Sequence, residues 1–314
     1  RNTLNETMTR FDGMTNQVFL NYNKVWGAHS LNAMALGEFI QSKNNTISAY
    51  REGFITTAID QLFAGQDLNK NNNGSANEDG RMGYAGRFNY SYAGKYFAEA
   101  TFRYDASAKF IEDERWGFFP GILLGWRVSE ENFMQNVAAI SNLKLRFSHG
   151  LAGNDYVGRF NYLTGYRFGG NAVFGETPLI SNGIVSRGLA NPDLTWEKTA
   201  TTNFGVDADF LNGRLGMELD VFYRKVTDVP GRRYLSLPTT FGATLPEENI
   251  NSFDNRGFEL LLRYRDKAGD FNYLIEGNVS WARAKWINYD EPVYPDDATR
   301  ERLQLSGQWK NRWF

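Results

Sequence analysis

Residues 196–225 read WEKTATTNFGVDADFLNGRLGMELDVFYRK. Every second position places Trp196, Ala200, Phe204, Val206, Ala208 and Phe210 on one side. Glu197, Thr199, Thr201, Asn203, Asp207 and Asp209 fall on the other. The chain turns at Leu211-Asn212-Gly213-Arg214, where Asn-Gly is a strong hairpin signal. The alternation then resumes, with Leu215, Met217, Leu219, Val221 and Tyr223 opposing Arg214, Glu218, Asp220 and Arg224. A two-residue period means a strand with two unlike faces. These strands run to about a dozen residues, against about 5–6 in ordinary globular proteins. Long alternating strands with one charged face, one apolar face and aromatic ends suit a barrel wall in a bilayer.

The same pattern recurs outward from this hairpin. Downstream, Phe258, Leu260, Leu262 and Tyr264 lead through a turn to Phe271, Tyr273, Ile275, Val279 and Trp281. Upstream, Met82, Tyr84, Phe88, Tyr90 and Tyr92 turn at 93–95 into Tyr96, Ala98, Ala100, Phe102 and Tyr104. Phe118, Ile122, Leu124, Trp126 and Val128 form another strand, in which Pro120 requires a bulge or a strand end. Leu143, Leu145 and Phe147 form the next. Two weaker strands are expected around Val18–Tyr22 and Leu31–Phe39, after a polar opening loop. A short helix is expected between Ile47 and Leu62, an extra strand over 160–168, and long loops over 227–255 and 287–302. About ten strands result. From the second strand on their connections run long, short, medium, intermediate, long, short, long, short, so short turns are expected to gather at one rim and long loops at the other. A soluble sandwich has no reason to sort its loops in this way.

Composition agrees. The 314 residues include 24 Phe, 16 Tyr and 8 Trp, which suits interfacial girdles. No run of about 18 apolar residues predicts a spanning helix, and an interleaved barrel would show none. The formal net charge of −2 gives no reason to expect nucleic acid. With no cysteine, disulfides and thiolate chemistry are excluded.

Several stretches resemble the SusC/RagA group of TonB-dependent outer-membrane transporters. They are residues 86–96 (GRFNYSYAGKY) with Arg103-Tyr104-Asp105, 116–120 (WGFFP) through 124–131, 143–150 with Gly153-Asn154, 191–199 (NPDLTWEKT), 220–223 (DVFY) and 255–259 (NRGFE). They follow in family order from about residue 80, and together they are specific. The resemblance implies a 22-stranded, antiparallel, up-and-down transmembrane β-barrel in the outer membrane. It also implies an N-terminal plug, energy relayed through TonB, and a SusD-like surface lipoprotein as partner. The cargo would be an oligosaccharide or a peptide. Residues 1–314 would be a partial barrel domain, with plug, TonB-contact segment and closing C-terminal strands outside this sequence. Two other readings remain: a passive outer-membrane porin, and a soluble surface adhesin or glycan-binding β protein.

Candidate chemistry is sparse. Ser148 and His149 adjoin on a strand, so they point to opposite faces and cannot form a nucleophile–base pair. With His29 as the other histidine, no catalytic residue, cofactor or clustered metal site is expected, and the protein is not expected to be an enzyme. Asp67, Asn69, Asn71 and Glu78 loosely match a calcium loop, but Asn72 stands where glycine is usual, and a polar surface loop is the expectation. Glu197, Asp207, Asp209, Glu218, Asp220 and Arg224 are expected to form a charge ladder across neighbouring strands rather than a substrate track. Trp116, Trp126, Trp196, Trp281 and Trp286 are expected as interfacial anchors. Phe174, Tyr234, Phe241 and Tyr294 could stack on cargo or pack the loops together, so no substrate-binding residue is singled out.

Overall fold

Leu211, Asn212 and Gly213 all take positive φ (53°, 58° and 79°), and this left-handed run reverses the chain between two strands. Asn and Gly tolerate that region best. The Gly213 N–H donates to the Phe210 carbonyl at 3.0 Å. The computed structural model describes residues 2–56, 58–170, 172–174, 179–181, 183–233, 240 and 242–310.

The strands are β1 (Thr3–Trp26), β2 (His29–Glu52), β3 (Asn71–Tyr92), β4 (Tyr96–Ser107), β5 (Trp116–Arg127), β6 (Ile140–Asn154), β7 (Tyr166–Phe168), β8 (Ala172–Phe174), β9 (Leu179–Ser181), β10 (Ile184–Ser186), β11 (Glu197–Phe210), β12 (Leu215–Arg232), β13 (Glu247–Ala268) and β14 (Phe271–Asn288). Among the described residues one short helix, α1 (Asp297–Leu303), follows, capped by Asp296, so the expected 287–302 loop is helical at its end. Ten strands form one sheet in the order β1-β2-β3-β4-β5-β6-β11-β12-β13-β14. Apart from the small ribbons inserted after β6, every strand lies beside its sequence neighbour, as the up-and-down reading requires. β7 pairs with β10 and β8 with β9.

The connections alternate only in part. Within the second unit the turns at 27–28, 93–95, 211–214 and 269–270 are short and 155–196 is long, but the connection at 128–139 is longer than the one at 108–115. The short turns are stitched laterally. Ala93 donates to the Ala28 carbonyl, Arg127 to Lys95, Leu211 to Ala139, and Arg265 to Arg214.

Several expectations need correction. The opening residues are strand, not loop, because β1 starts at Thr3. Among the described residues no helix forms between Ile47 and Leu62. β2 continues to Glu52, and only a single 3₁₀ turn, Leu62–Ala64, follows. The polar run from Asn71 is likewise strand, so it cannot close a calcium loop. The 160–168 strand shrinks to Tyr166–Phe168. The expected 227–255 loop is strand at both ends, because β12 runs on to Arg232 and β13 begins at Glu247. These misplaced stretches are Thr/Asn-rich or interrupted, so alternation loses its apolar mark although the backbone still pairs.

The chain forms two compact units, residues 1–18 with 37–83, and residues 19–36 with 84–314. Within the first, Gly53 donates to the Asn2 carbonyl and Gln66 to the Glu52 carbonyl. Arg51 holds Asp67 at 2.9 Å and the Gly65 carbonyl at 3.0 Å.

Both strand prolines sit where a donor can be lost. Pro120 faces Phe102 of β4, while pairing of β5 with β6 begins only at Gly121. Pro230 lies at a register shift between β12 and β13. A missing N–H costs little at a bulge or where pairing ends.

Candidate functional site: a two-faced wall and its clamped loops

The second unit is read best across its strands. At one level Leu124, Phe147, Phe204, Val221, Phe258 and Trp281 stand opposite one another from β5 to β14. One step along the strands lies a second row, Trp126, Leu145, Val206, Leu219, Leu260 and Val279. This face is apolar, and it is open. Phe204 is 48% exposed, Val221 49% and Trp281 48%. A contiguous exposed surface of this kind marks an interface with something apolar. From Leu215 to Tyr223 the band rises about 27 Å along the strand, or about 20 Å at ordinary barrel tilt. Tyr104 stacks on Trp116 (4.5 Å) at one end, and Tyr273 neighbours Tyr264 and Phe271 (6.2 Å each) at the other.

The opposite face is charged. The row beneath Phe204 reads Arg146, Gly205, Asp220, Glu259 and Ser280 across β6, β11, β12, β13 and β14. Arg146 grips Asp207 at 2.7 Å and spans β11 to reach both oxygens of Asp220 at 3.0 Å. Asn203 donates to Asp220 at 2.7 Å. Arg263 bridges Glu218 and Glu276, each at 3.1 Å. Asp207, Glu218 and Asp220 thus form the cross-strand ladder expected of them, and Asp209 accepts from Asn142 at 3.3 Å. Arg146 and Arg263 complete it. The alternation places them on the polar face, but only the register shows whom they meet. Glu197 accepts from Asn154 instead.

The long-loop rim carries the buried core. Phe110, Leu194, Trp196 and Phe119 pack together, with Val157 against them. Trp196 is therefore not an interfacial anchor. It is 5% exposed, and its indole N–H donates to the Arg115 carbonyl at 2.9 Å. Strand pairing starts only at Glu197, so the two-residue parity does not reach back to Trp196. Trp286 lies against Phe253 and under Lys310. Trp126 and Trp281 do stand exposed among the apolar rows, and Trp116 joins the Tyr104 stack.

This core explains why the 191–197 stretch has its composition. Asn191 caps its own turn by accepting from Asp193 at 3.0 Å and reaches the Glu247 carbonyl at 2.7 Å. Thr195 exchanges both backbone hydrogen bonds with the Asn249 side chain, which also holds the Asp228 carbonyl. Leu194 and Trp196 fill the interior. Phe119 fits because Gly117 and Gly153 flank its ring; a Cβ at Gly153 would sit 2.0 Å from ring carbon Cζ. Buried Ser107 donates to Asp155 at 2.7 Å, and Lys109 holds the Asp155 carbonyl at 2.9 Å. The connections 108–115 and 155–196 are thereby fastened to the wall.

The two histidines are spent on strand neighbours. His149 Nδ1 lies 2.9 Å from Thr202 Oγ1, and His29 Nδ1 2.7 Å from the Tyr90 hydroxyl. Glu78 pairs with Lys43 at 2.5 Å, apart from Asp67 on Arg51. Among the described residues no three His, Asp or Glu side chains gather as a metal site. Of the four loop aromatics, Tyr234, Phe241 and the Phe174 side chain lie outside the described residues. The Tyr294 hydroxyl donates to Glu291. Burial pushes the Glu291 carboxyl up, but donors from Tyr294, Ser306 and Leu305 outweigh it and hold it below the usual range.

The sequence matches the family described as TonB dependent receptor-like, beta-barrel, over residues 1–313. It is 33% identical over 270 residues to the TonB-dependent receptor SusC of Bacteroides thetaiotaomicron, covering 84% of this chain and 26% of that protein. It is 33% identical over 312 residues to the TonB-dependent receptor P39 of Formosa agariphila, covering 96% of this chain and 28% of that one. The fold superposes on the RagAB peptide transporter with a TM-score of 0.79 at 24% identity, covering 90% of this chain and 31% of the other. The chain thus spans under a third of the relatives it matches.

Proposed function

The chain belongs to the TonB-dependent receptor-like β-barrel family, whose members sit in the outer membrane, and on that premise we propose that it forms part of the wall and outward loops of a SusC-like importer. The carrying observation is the two-faced sheet. A row running from Leu124 to Trp281 stays open to an apolar phase, while Arg146, Asp207 and Asp220 pair on the reverse side. Hydrocarbon on one side and water on the other accounts for both. The strands of residues 1–314 close into a cylinder with strands outside this chain. A plug and a TonB-contact segment of the full protein supply gating and energy. A SusD-like lipoprotein sits over the long-loop rim, and the cargo is an oligosaccharide or a peptide.

Family membership favours energised import over a passive porin. The experiment is uptake of labelled oligosaccharides and peptides by cells carrying the full-length protein, with and without TonB. Import predicts uptake that stops when TonB is deleted. Uptake indifferent to TonB would mean a porin, and no uptake of either cargo would overturn the proposal.

A further inference from the structure

Beside the clamped 191–197 stretch lies a cavity of about 100 Å³. Its wall includes Phe160, Asn161, Arg187, Arg232 and Glu247. Arg232 ends β12 and stands opposite Glu247, the first residue of β13. Arg187 follows β10, its backbone N–H on the Gly165 carbonyl and its stem over Gly165. Asn161 donates to the Glu247 carboxylate at 3.3 Å, and its own carbonyl accepts from Asn191 at 3.0 Å. Among the described residues neither the Arg187 nor the Arg232 guanidinium has a side-chain partner. Two guanidinium groups against one carboxylate leave the cavity with net positive charge. Phe160 is held at a φ of 58°, unusual for an aromatic residue, and the residue is 45% exposed. Backbone strain of this kind persists only where surrounding structure enforces it, and it concentrates at binding sites.

We infer that this cavity binds an anionic sugar unit, one bearing a carboxylate or a sulfate. The forked donors of arginine match a planar or tetrahedral oxyanion. The Glu247 carboxylate and Asn161 accept and donate to ring hydroxyls, and the Phe160 ring offers a flat apolar face to the C–H side of a pyranose. An acidic peptide would supply the anion but neither the hydroxyls nor the ring. The inference rests on the import reading and narrows its cargo to acidic oligosaccharides.

The test is calorimetric binding to the full-length protein in detergent, using a uronate oligosaccharide, its sulfated counterpart, a neutral one of equal length and an acidic peptide. Arg187→Gln and Arg232→Gln are each expected to weaken binding of the acidic sugar about tenfold and leave the neutral one unchanged. The preference for acidic sugar should also shrink as salt rises. Retained gel mobility of the folded barrel shows that each variant folds. Whichever acidic sugar binds more tightly identifies the anion. Equal binding of acidic and neutral sugars, unmoved by either substitution, overturns the cavity assignment and leaves import standing. Binding of the peptide alone overturns the sugar class, and absence of binding to all four probes overturns the cavity assignment, while the import reading stands or falls on TonB-dependent uptake.

Discussion

Arg146 reaches Asp220 across an intervening strand, with hydrogen bonds of 3.0 Å to each carboxylate oxygen. The residue between them in both registers is Gly205. A Cβ there would lie 2.6 Å from Arg146 Cζ, so the bridge exists because that position is bare.

Gly205→Ala is therefore expected to break the bridge and destabilise the wall by about 1.5–3 kcal/mol, the range for hydrogen bonds to charged groups. Urea unfolding, followed by the gel mobility of the folded barrel, measures it. An alanine that unfolds at wild-type urea concentration would show that the bridge contributes nothing.

Val221→Arg puts a charge in the middle of the apolar rows. Facing hydrocarbon it should cost about 2–4 kcal/mol, whereas an exposed site on a soluble protein would change by about 0.5 kcal/mol or less. The neighbouring Phe222→Arg, on the polar face, should be milder. Refolding into lipid vesicles over a urea series separates the two, and equal costs would contradict the two-faced wall.

Trp196→Ala removes a buried ring and orphans the Arg115 carbonyl. A loss of about 3–5 kcal/mol is expected. Because the ring clamps the long connections, limited proteolysis should cut first within 108–115 and 155–196. Trp281→Ala, on the open face, should leave that digestion pattern unchanged.

Glu291 sets a pH limit on the segment after β14. Its carboxylate accepts from the backbone N–H groups of Leu305 and Ser306, at 3.2 and 2.7 Å. A folded-state pKa below the ordinary value means that the stabilisation is complete above the usual carboxylate range. It is lost as pH falls through the depressed value. Protease sensitivity of 289–306 should therefore rise only in acid for the wild type, and already at neutral pH for Glu291→Gln. Wild-type protection at neutral pH in that variant would refute the latch.

The strands from Tyr84 onward were legible because apolar and charged residues alternate through the width of the band. From Thr3 to Thr15 the few apolar residues, Leu4, Met8, Phe11 and Met14, are sparse and split between the two faces, and from Asn71 to Glu78 both faces are polar, so pairing leaves no clear trace in the pattern. The ladder acids could be named from alternation alone. Their partner Arg146 could not be matched to them, since its reach to Asp220 depends on register and on the gap at Gly205. Trp196 shows the opposite failure: parity was extended one residue past the point where pairing begins. The 191–197 stretch was legible as a motif, but its physical role is a clamp whose partners, Arg115, Asp228, Glu247 and Asn249, are remote in the chain.

The stitched turns at 27–28, 93–95, 211–214 and 269–270 leave little room for variation, whereas the described residues of 108–115 and 155–196 are held through Phe110, Arg115, Asn191, Leu194 and Trp196. Lineages carrying this scaffold can therefore rewrite what they capture by exchanging segments such as 158–190 or 233–246, provided the Trp196 and Asn249 anchorages survive. A peptide tag grafted at 240 should be accepted where the same tag at 212 aborts assembly.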